Sequence, residues 1–433
     1  MHNEELERIL RTVKKHAHLD DTALDRAYDI LNNLGANSLV LSNRAAAASG
    51  FVERLKEHYD AERDTQLDVM DRILTTQQLQ TFRQEQLKKV YEKLKDIEFI
   101  KGGLEIKDHN NNEIYIRSLS NVRGRKVDLF GLFGNDTLHE DWEEITLMGD
   151  MLLRSGADCV DLYLPFIPYQ REDKKDKGRV PISAKKTFND LKNSFQSKLN
   201  RIVTFELHSA QAQGYIDLPV DSINGNNLFA NYVLSDYFQQ KYAGKEFVVV
   251  SPDVGHAKLA KKFAEMLGVN YVIIDKGDRE THGEAKINDR NIEDKVNGKI
   301  CLLIDDMCDT GGSLLEAYKN IMGYGAAGVV AMVGHGIFSQ KKDDPNHISA
   351  EQKLKNCGIK IVTTDSIPRT QEYYKQNADW LDVLTITKKM AKVMIANRID
   401  SSVGAVIDRN RSDIYKARDK GIKINIDDVL IKP

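Results

Sequence analysis

The chain has 433 residues, 41% of them hydrophobic and 29% charged, with a formal net charge of −3; that allows two or three domains with real cores and gives no electrostatic case for nucleic acid or an anionic membrane as partner. Four cysteines (Cys159, Cys301, Cys308, Cys357) form no CxxC pair, which argues against a disulfide framework or structural zinc and for a reducing, cytoplasmic setting. The N-terminus shows no apolar leader core, and no apolar run approaches membrane length.

Residues 1–35 read as helical: Leu6, Ile9, Leu10 and Val13 share a face, and a second helix over 22–33 can end at Gly35. A short strand at Ser38–Ser42 and a helix through Phe51, Val52 and Leu55 open an α/β unit. Residues 63–95 lack glycine and proline and carry Leu67, Met70, Leu74, Leu79, Phe82, Leu87, Val90 and Leu94. That spacing is helical but too irregular for a clean heptad, and the stripe is expected to be buried against the core or another subunit. From residue 97 on, apolar runs at 127–133, 160–164, 201–205, 246–250, 271–274, 300–304, 328–333 and 359–363 alternate with helical patterns such as Leu138, Trp142, Ile145, Met148, Leu152. Short apolar strands separated by helices predict parallel sheets covered on both faces. The expected organisation is a helical extension over 1–35, an α/β half over 36–222 with a helical insertion at 60–95, a second α/β half over 223–399, and a charged tail over 400–433.

In such sheets ligands bind beyond the carboxyl ends of strands. The sharpest junction follows the run at 300–304: Asp305, Asp306, Met307, Cys308, Asp309, Thr310, Gly311, Gly312, Ser313, then a helix. Glycines let the backbone wrap an oxyanion, and the helix N-terminus adds free N–H groups. The turn fits a phosphate, whereas Asp305 and Asp306 suit sugar hydroxyls. An acidic turn with an N-cap is the plainer alternative, but carboxylates beside an anion nest need a purpose. The GxGxxG match at 323–328 stands between a helix and a strand, the reverse of the dinucleotide order. The run Asp173–Arg179 mixes carboxylates with its cations, which weakens a nucleic-acid reading.

The 305–313 segment resembles the sugar-phosphate loop of phosphoribosyltransferases. The 169–185 segment resembles the ATP-binding segment of the phosphoribosyl-pyrophosphate (PRPP) synthetase family. Glu206-Leu-His208 with Gln211, Gln213, Gly214, Asp217 and Asp221 resembles that family's metal-binding strand; 250–255 resembles its ribose-side loop and 335–339 a later strand end. Asn121–Gly124 and Asn135-Asp136 fit its first domain. The resemblance spans about 36–395 apart from the insertion, and implies two phosphoribosyltransferase-like α/β domains with mostly parallel sheets, plus extra N-terminal helices.

It further implies transfer of the β,γ-diphosphoryl group of ATP to the anomeric hydroxyl of ribose 5-phosphate, with Mg2+ required. By motif, His109, Glu113, Arg171, Glu172, Asp173, Lys174, Lys175 and His208 would serve ATP, and His208 and Asp253 would sit by metal ions. Asp253, Asp305, Asp306, Asp309, Thr310, Gly311, Gly312 and Ser313 would hold the ribose phosphate, while Lys276 and Arg279 on a mobile loop would neutralise charge at transfer. Family members are dimers or hexamers whose adenine pockets a neighbouring subunit completes, so a homo-oligomer is expected, with no nucleic acid or membrane partner.

The chain departs from the family pattern at several places. His109 replaces an aromatic residue, Glu172 a glutamine, Glu206 an aspartate, His256 a glycine and Leu259 a basic residue, and the loop at Lys276–Arg279 is one residue longer between its cations. These departures leave two alternatives beside the ribose 5-phosphate reaction: the same chemistry on a larger acceptor such as ADP-ribose, and a non-catalytic regulatory relative.

Overall fold

The structure, a computed structural model, describes residues 38–74, 97–99, 103–251, 257–274, 292–340, 348–399 and scattered positions from 401 to 431; side chains at 38, 69–74 and 97–99 are not among them. The expected 1–35 helices and positions 75–95 of the expected insertion lie outside the described residues.

In chain order the elements are β1 (Ser38–Ser42), α1 (Arg44–Ala48), α2 (Phe51–Leu74), β2 (Ile97–Phe99), β3 (Leu104–Asp108), β4 (Ile114–Ser118), β5 (Lys126–Phe130), α3 (Leu138–Arg154), β6 (Cys159–Leu164), α4 (Ser183–Phe195), β7 (Leu199–Phe205) and β8 (Val220–Ile223). There follow α5 (Asn226–Val233), α6 (Asp236–Lys241), β9 (Phe247–Ser251), α7 (Ala257–Leu267), β10 (Asn270–Ile273), β11 (Ile300–Cys308), α8 (Gly312–Gly323), β12 (Gly328–Gly336), α9 (Ala350–Cys357), β13 (Lys360–Thr364), α10 (Gln371–Asn377), β14 (Leu381–Leu384) and α11 (Thr387–Arg398). No described helix is long and apolar enough to cross a membrane.

Two six-stranded sheets result, ordered β2-β1-β5-β6-β7-β8 and β10-β9-β11-β12-β13-β14. Every pairing within them is parallel. The apolar runs follow from this, because crossover helices bury both faces of a parallel sheet. The two sheets share one winding pattern, so the chain is an internal repeat. The antiparallel hairpin β3–β4 is inserted between the second and third strands of the first sheet.

One face of each sheet contributes to a common core. Phe51, Leu55 and Tyr59 of α2 join Tyr163, Val203 and Phe205 of the first sheet, Val249, Ile300 and Met332 of the second, and Met390 and Met394 of α11. Leu67, from the predicted apolar stripe, is buried there too. Each sheet's opposite face has its own cluster. Polar ties reinforce the junction: Arg398 pairs with Asp128 in the interior, and Arg54 Nη2 lies 2.8 Å from Asp365. The side-chain amide of Asn397 donates to the Tyr163 hydroxyl at 3.2 Å.

The structure corrects several boundaries. The helix opening at Phe51 runs unbroken to Leu74, joining what the sequence divided into two. The run at 127–133 leaves the ladder after Phe130, because the Asn43 side chain takes over both backbone groups of Leu132, at 3.1 and 2.8 Å. The strand expected at 300–304 continues through both carboxylates to Cys308, since β12 pairs with it as far as Gly336. The sequence reading did not single out β14 or α11.

Candidate active site

The carboxyl end of β11 sets the first half of the site. Strand alternation turns Asp306 toward the first domain, where it is buried and its Oδ2 meets Nδ1 of His208 at 2.6 Å. Asp305 Oδ1 accepts the Asp306 N–H at 2.9 Å. Beyond the strand, Gly311 caps α8 with φ of 72°, a left-handed conformation that costs glycine nothing. The turn therefore delivers the chain into α8 with Thr310, Gly311, Gly312 and Ser313 lining an opening at the helix start.

The second half comes from the loop after β6. Tyr169 takes a left-handed φ of 61°, and its hydroxyl lies 2.7 Å from His139 Nδ1. Buried Gln170 donates to the Ile167 carbonyl at 2.7 Å and accepts the His208 N–H at 3.1 Å. Arg171 then reaches across, its Nη1 2.6 Å from Asp309 Oδ2 and its Nε 3.3 Å from the Met307 sulfur. Glu172, Lys174 and Lys175 are exposed and Asp173 half-buried, its carbonyl accepting the Tyr215 hydroxyl.

Two cavities meet here. One, of about 310 Å³, is lined by Arg171, His208, residues 305–314 and Val333. The other, of about 360 Å³, is lined by residues 133–135, 166, 168–172 and 337 among others, and shares Arg171, Met307 and Asp309 with the first. The cleft thus lies at the carboxyl ends of strands from both sheets.

Its electrostatics are paired. The Asp306 hydrogen bond raises His208 above the usual imidazole value, against the opposing effect of burial. Burial pushes Asp306 upward, but the His208 contact outweighs it and leaves the carboxyl low. Asp309 is likewise pushed up by burial yet held low by Ser339 and Arg171.

The structure brings Arg171, His208, Asp305, Asp306, Asp309 and the 310–313 turn together. His109 and Glu113 stand elsewhere, exposed at the hairpin tip where His109 N–H donates to the Glu113 carbonyl at 2.8 Å. Asp253, His256, Lys276 and Arg279 lie outside the described residues. Among the described residues no group of three or more His, Cys, Asp or Glu forms a metal cage. Gln170 was not assigned a role from sequence, although it lies inside the ATP-like segment. A buried glutamine between two functional loops has no periodic signature that would have exposed it.

Comparison with known proteins identifies relatives of the chain. The profile described as the N-terminal domain of ribose phosphate pyrophosphokinase matches residues 79–194, and the phosphoribosyl transferase domain profile matches 229–364. The ribose-phosphate pyrophosphokinase of Corynebacterium efficiens is 35% identical over 302 residues, covering 69% of this chain and 86% of that protein. That of Mycobacterium tuberculosis is 35% identical over 301 residues, covering 69% and 86%. The crystal structure of phosphoribosylpyrophosphate synthetase from Mycobacterium smegmatis superposes with a TM-score of 0.63 at 28% identity, covering 84% of this chain and all of that one. With two matching domains, the same parallel architecture and this extent of identity, the chain belongs to the ribose-phosphate pyrophosphokinase, or PRPP synthetase, family.

Proposed function

We propose that the protein transfers the β,γ-diphosphoryl group of ATP to the anomeric hydroxyl of ribose 5-phosphate, giving PRPP and AMP. The observation that carries this reading is the contact between two cavities at Arg171 and Asp309, one built on the 305–313 turn and the other on the 166–172 loop. The turn's N–H groups take the 5-phosphate, and Asp305, Asp306 and Asp309 take the sugar hydroxyls. Arg171, Lys174 and Lys175 hold the triphosphate in line with the anomeric oxygen. That oxygen gives up its proton to water and forms its bond to the β-phosphorus as the bond from that phosphorus to the α,β-bridging oxygen breaks, and Lys276 and Arg279 neutralise the charge left on AMP.

The donor set fits magnesium, which keeps several waters and binds through one or two protein groups plus phosphate oxygens rather than in an all-protein cage. His208 and Asp253 are the groups that would face it, and the ion would supply charge neutralisation on the phosphates. The exposure of His109 and Glu113 at the hairpin tip, away from both cavities, supports a homo-oligomer, dimer or hexamer, in which a neighbour's tip completes the adenine pocket. A cytoplasmic setting accords with the four free cysteines.

The relatives described above lend no support to an ADP-ribose acceptor or to a non-catalytic role. Incubation with MgATP and either ribose 5-phosphate or ADP-ribose, following AMP, tests the assignment. The expected preference in kcat/KM for ribose 5-phosphate is about a hundredfold or more, roughly 2.7 kcal/mol of transition-state binding. Equal use of ADP-ribose, or no AMP with either acceptor, would overturn it.

A further inference from the structure

His335 lies near the end of β12, wholly buried, with its ring against Phe166 at 4.9 Å and Phe205 at 6.1 Å. Burial lowers its pKa, so the imidazole is neutral. Its Nε2 is 3.0 Å from the backbone oxygen of Glu206, and its Nδ1 is 2.8 Å from the Ser366 hydroxyl. A carbonyl oxygen only accepts, so Nε2 carries the hydrogen and Nδ1 accepts from Ser366. The Ser366 hydroxyl has the Gly334 carbonyl as a second acceptor at 3.3 Å, longer than its contact with Nδ1, and the Thr364 hydroxyl serves that carbonyl at 2.7 Å. The tautomer is fixed by its partners.

Glu206 is the first residue beyond β7, and its φ of 49° is left-handed. For a residue with a side chain that conformation costs roughly 1–3 kcal/mol and persists only where the surroundings over-determine it. Three bonds do so here. The Glu206 N–H donates to the Ile223 carbonyl at 2.9 Å, its carboxylate accepts the Gly225 N–H, and its carbonyl accepts from His335. Gly334 lets β12 approach this closely, because an added Cβ would stand 2.7 Å from the Asp306 carbonyl oxygen and 3.2 Å from Glu206 Cγ. Two residues past the strained turn comes His208, aimed at Asp306.

We infer that His335 is a positioning residue for the ATP side of the cleft: from the second domain it clamps the Glu206 carbonyl, and so holds the turn that presents His208 to Asp306. The inference rests on the assignment of His208 to MgATP made above. Among the described residues His335 lines neither of the two cavities, so its effect on the reaction passes through the turn.

The test uses His335→Phe, His335→Asn and His335→Gln in the full-length protein. The Gln amide nitrogen can reach the place of Nε2, whereas the shorter Asn amide falls short of it and Phe has no donor. Phe and Asn are expected to raise KM for MgATP by about tenfold or more while KM for ribose 5-phosphate stays within about twofold, and Gln is expected to recover most of the loss. Imidazole NMR of the substrate-free protein should show the His208–Asp306 proton in wild type and Gln and not in Phe or Asn. That signal decides the point even if the wild-type enzyme were to reject ribose 5-phosphate, which separates this inference from the assignment beneath it. If Phe fails to fold, the contrast between Gln and Asn remains. Equal behaviour of Gln and Asn, an unaltered His208 signal in Asn, or parallel rises in both KM values would overturn the proposal.

Discussion

Arg171 and Asp309 join the two halves of the protein across the substrate cleft, 2.6 Å apart and both partly exposed. One belongs to the loop after β6, the other to the turn after β11, so a charge pair bounds the cleft. Under the proposed assignment a triphosphate on the Arg171 side would compete with Asp309 for the same guanidinium.

Arg171→Ala is therefore expected to raise KM for ATP by about ten- to a hundredfold, the range for hydrogen bonds to charged groups. Arg171→Lys should restore little of this, because a point charge lacks the planar fork of the guanidinium. Initial-rate kinetics with each substrate varied in turn will check both.

If Lys276 has the proposed role, Lys276→Ala is expected to lower kcat by roughly three orders of magnitude or more with ATP binding nearly unchanged, since a charge-neutralising group acts mainly in the transition state. Calorimetric ATP titration beside turnover measurements separates the two effects. Wild-type turnover in the variant would remove Lys276 from the mechanism.

The pair Arg398–Asp128 is buried between α11 and β5. Breaking it by Arg398→Met leaves an uncompensated buried carboxylate and should cost about 3–5 kcal/mol, whereas replacing both partners with apolar residues should cost much less. Urea unfolding of the single and double variants gives the comparison.

Asp141 sits at the start of α3, buried, with Oδ2 accepting from Gly134 N–H at 2.8 Å and Thr137 Oγ1 at 2.7 Å. Burial raises its pKa from the ordinary 3.8, and the two hydrogen bonds only partly offset this. Between that value and the raised one the folded state holds more protons than the unfolded, so stability falls as pH rises through the window. Asp141→Asn keeps an acceptor oxygen without the charge. The variant should melt above wild type at neutral pH, and the gap should close below about pH 3.8.

Much of the fold could be read from the sequence because parallel strands buried on both faces are continuous apolar runs, as β9 and β12 are. The strand at β14 escaped notice because it is only four residues long, and α11 because it is buried on most sides and so shows little apolar periodicity. The sugar-phosphate turn was legible as chemistry, since glycines and carboxylates at a strand end are a local pattern. The bonds of His335 to Glu206 and of His208 to Asp306 were not, because each joins residues about a hundred or more positions apart. Their pairing is decided by how the two sheets face each other, which no local window contains.

The shared core has a consequence for how the chain is made. Helix α2 rests its apolar face on α11, and on the order of 300 residues separate them in the sequence. At roughly 5–20 residues per second, a ribosome needs tens of seconds to finish that stretch. Throughout that interval Phe51, Leu55 and Tyr59 have emerged and their partners Met390 and Met394 do not yet exist. The nascent first half thus carries an apolar helix face that α11 has yet to cover, and a fragment ending before residue 387 is expected to collect in the insoluble fraction. Supplying the missing half in trans during synthesis, as a separately translated polypeptide, should return it to solution.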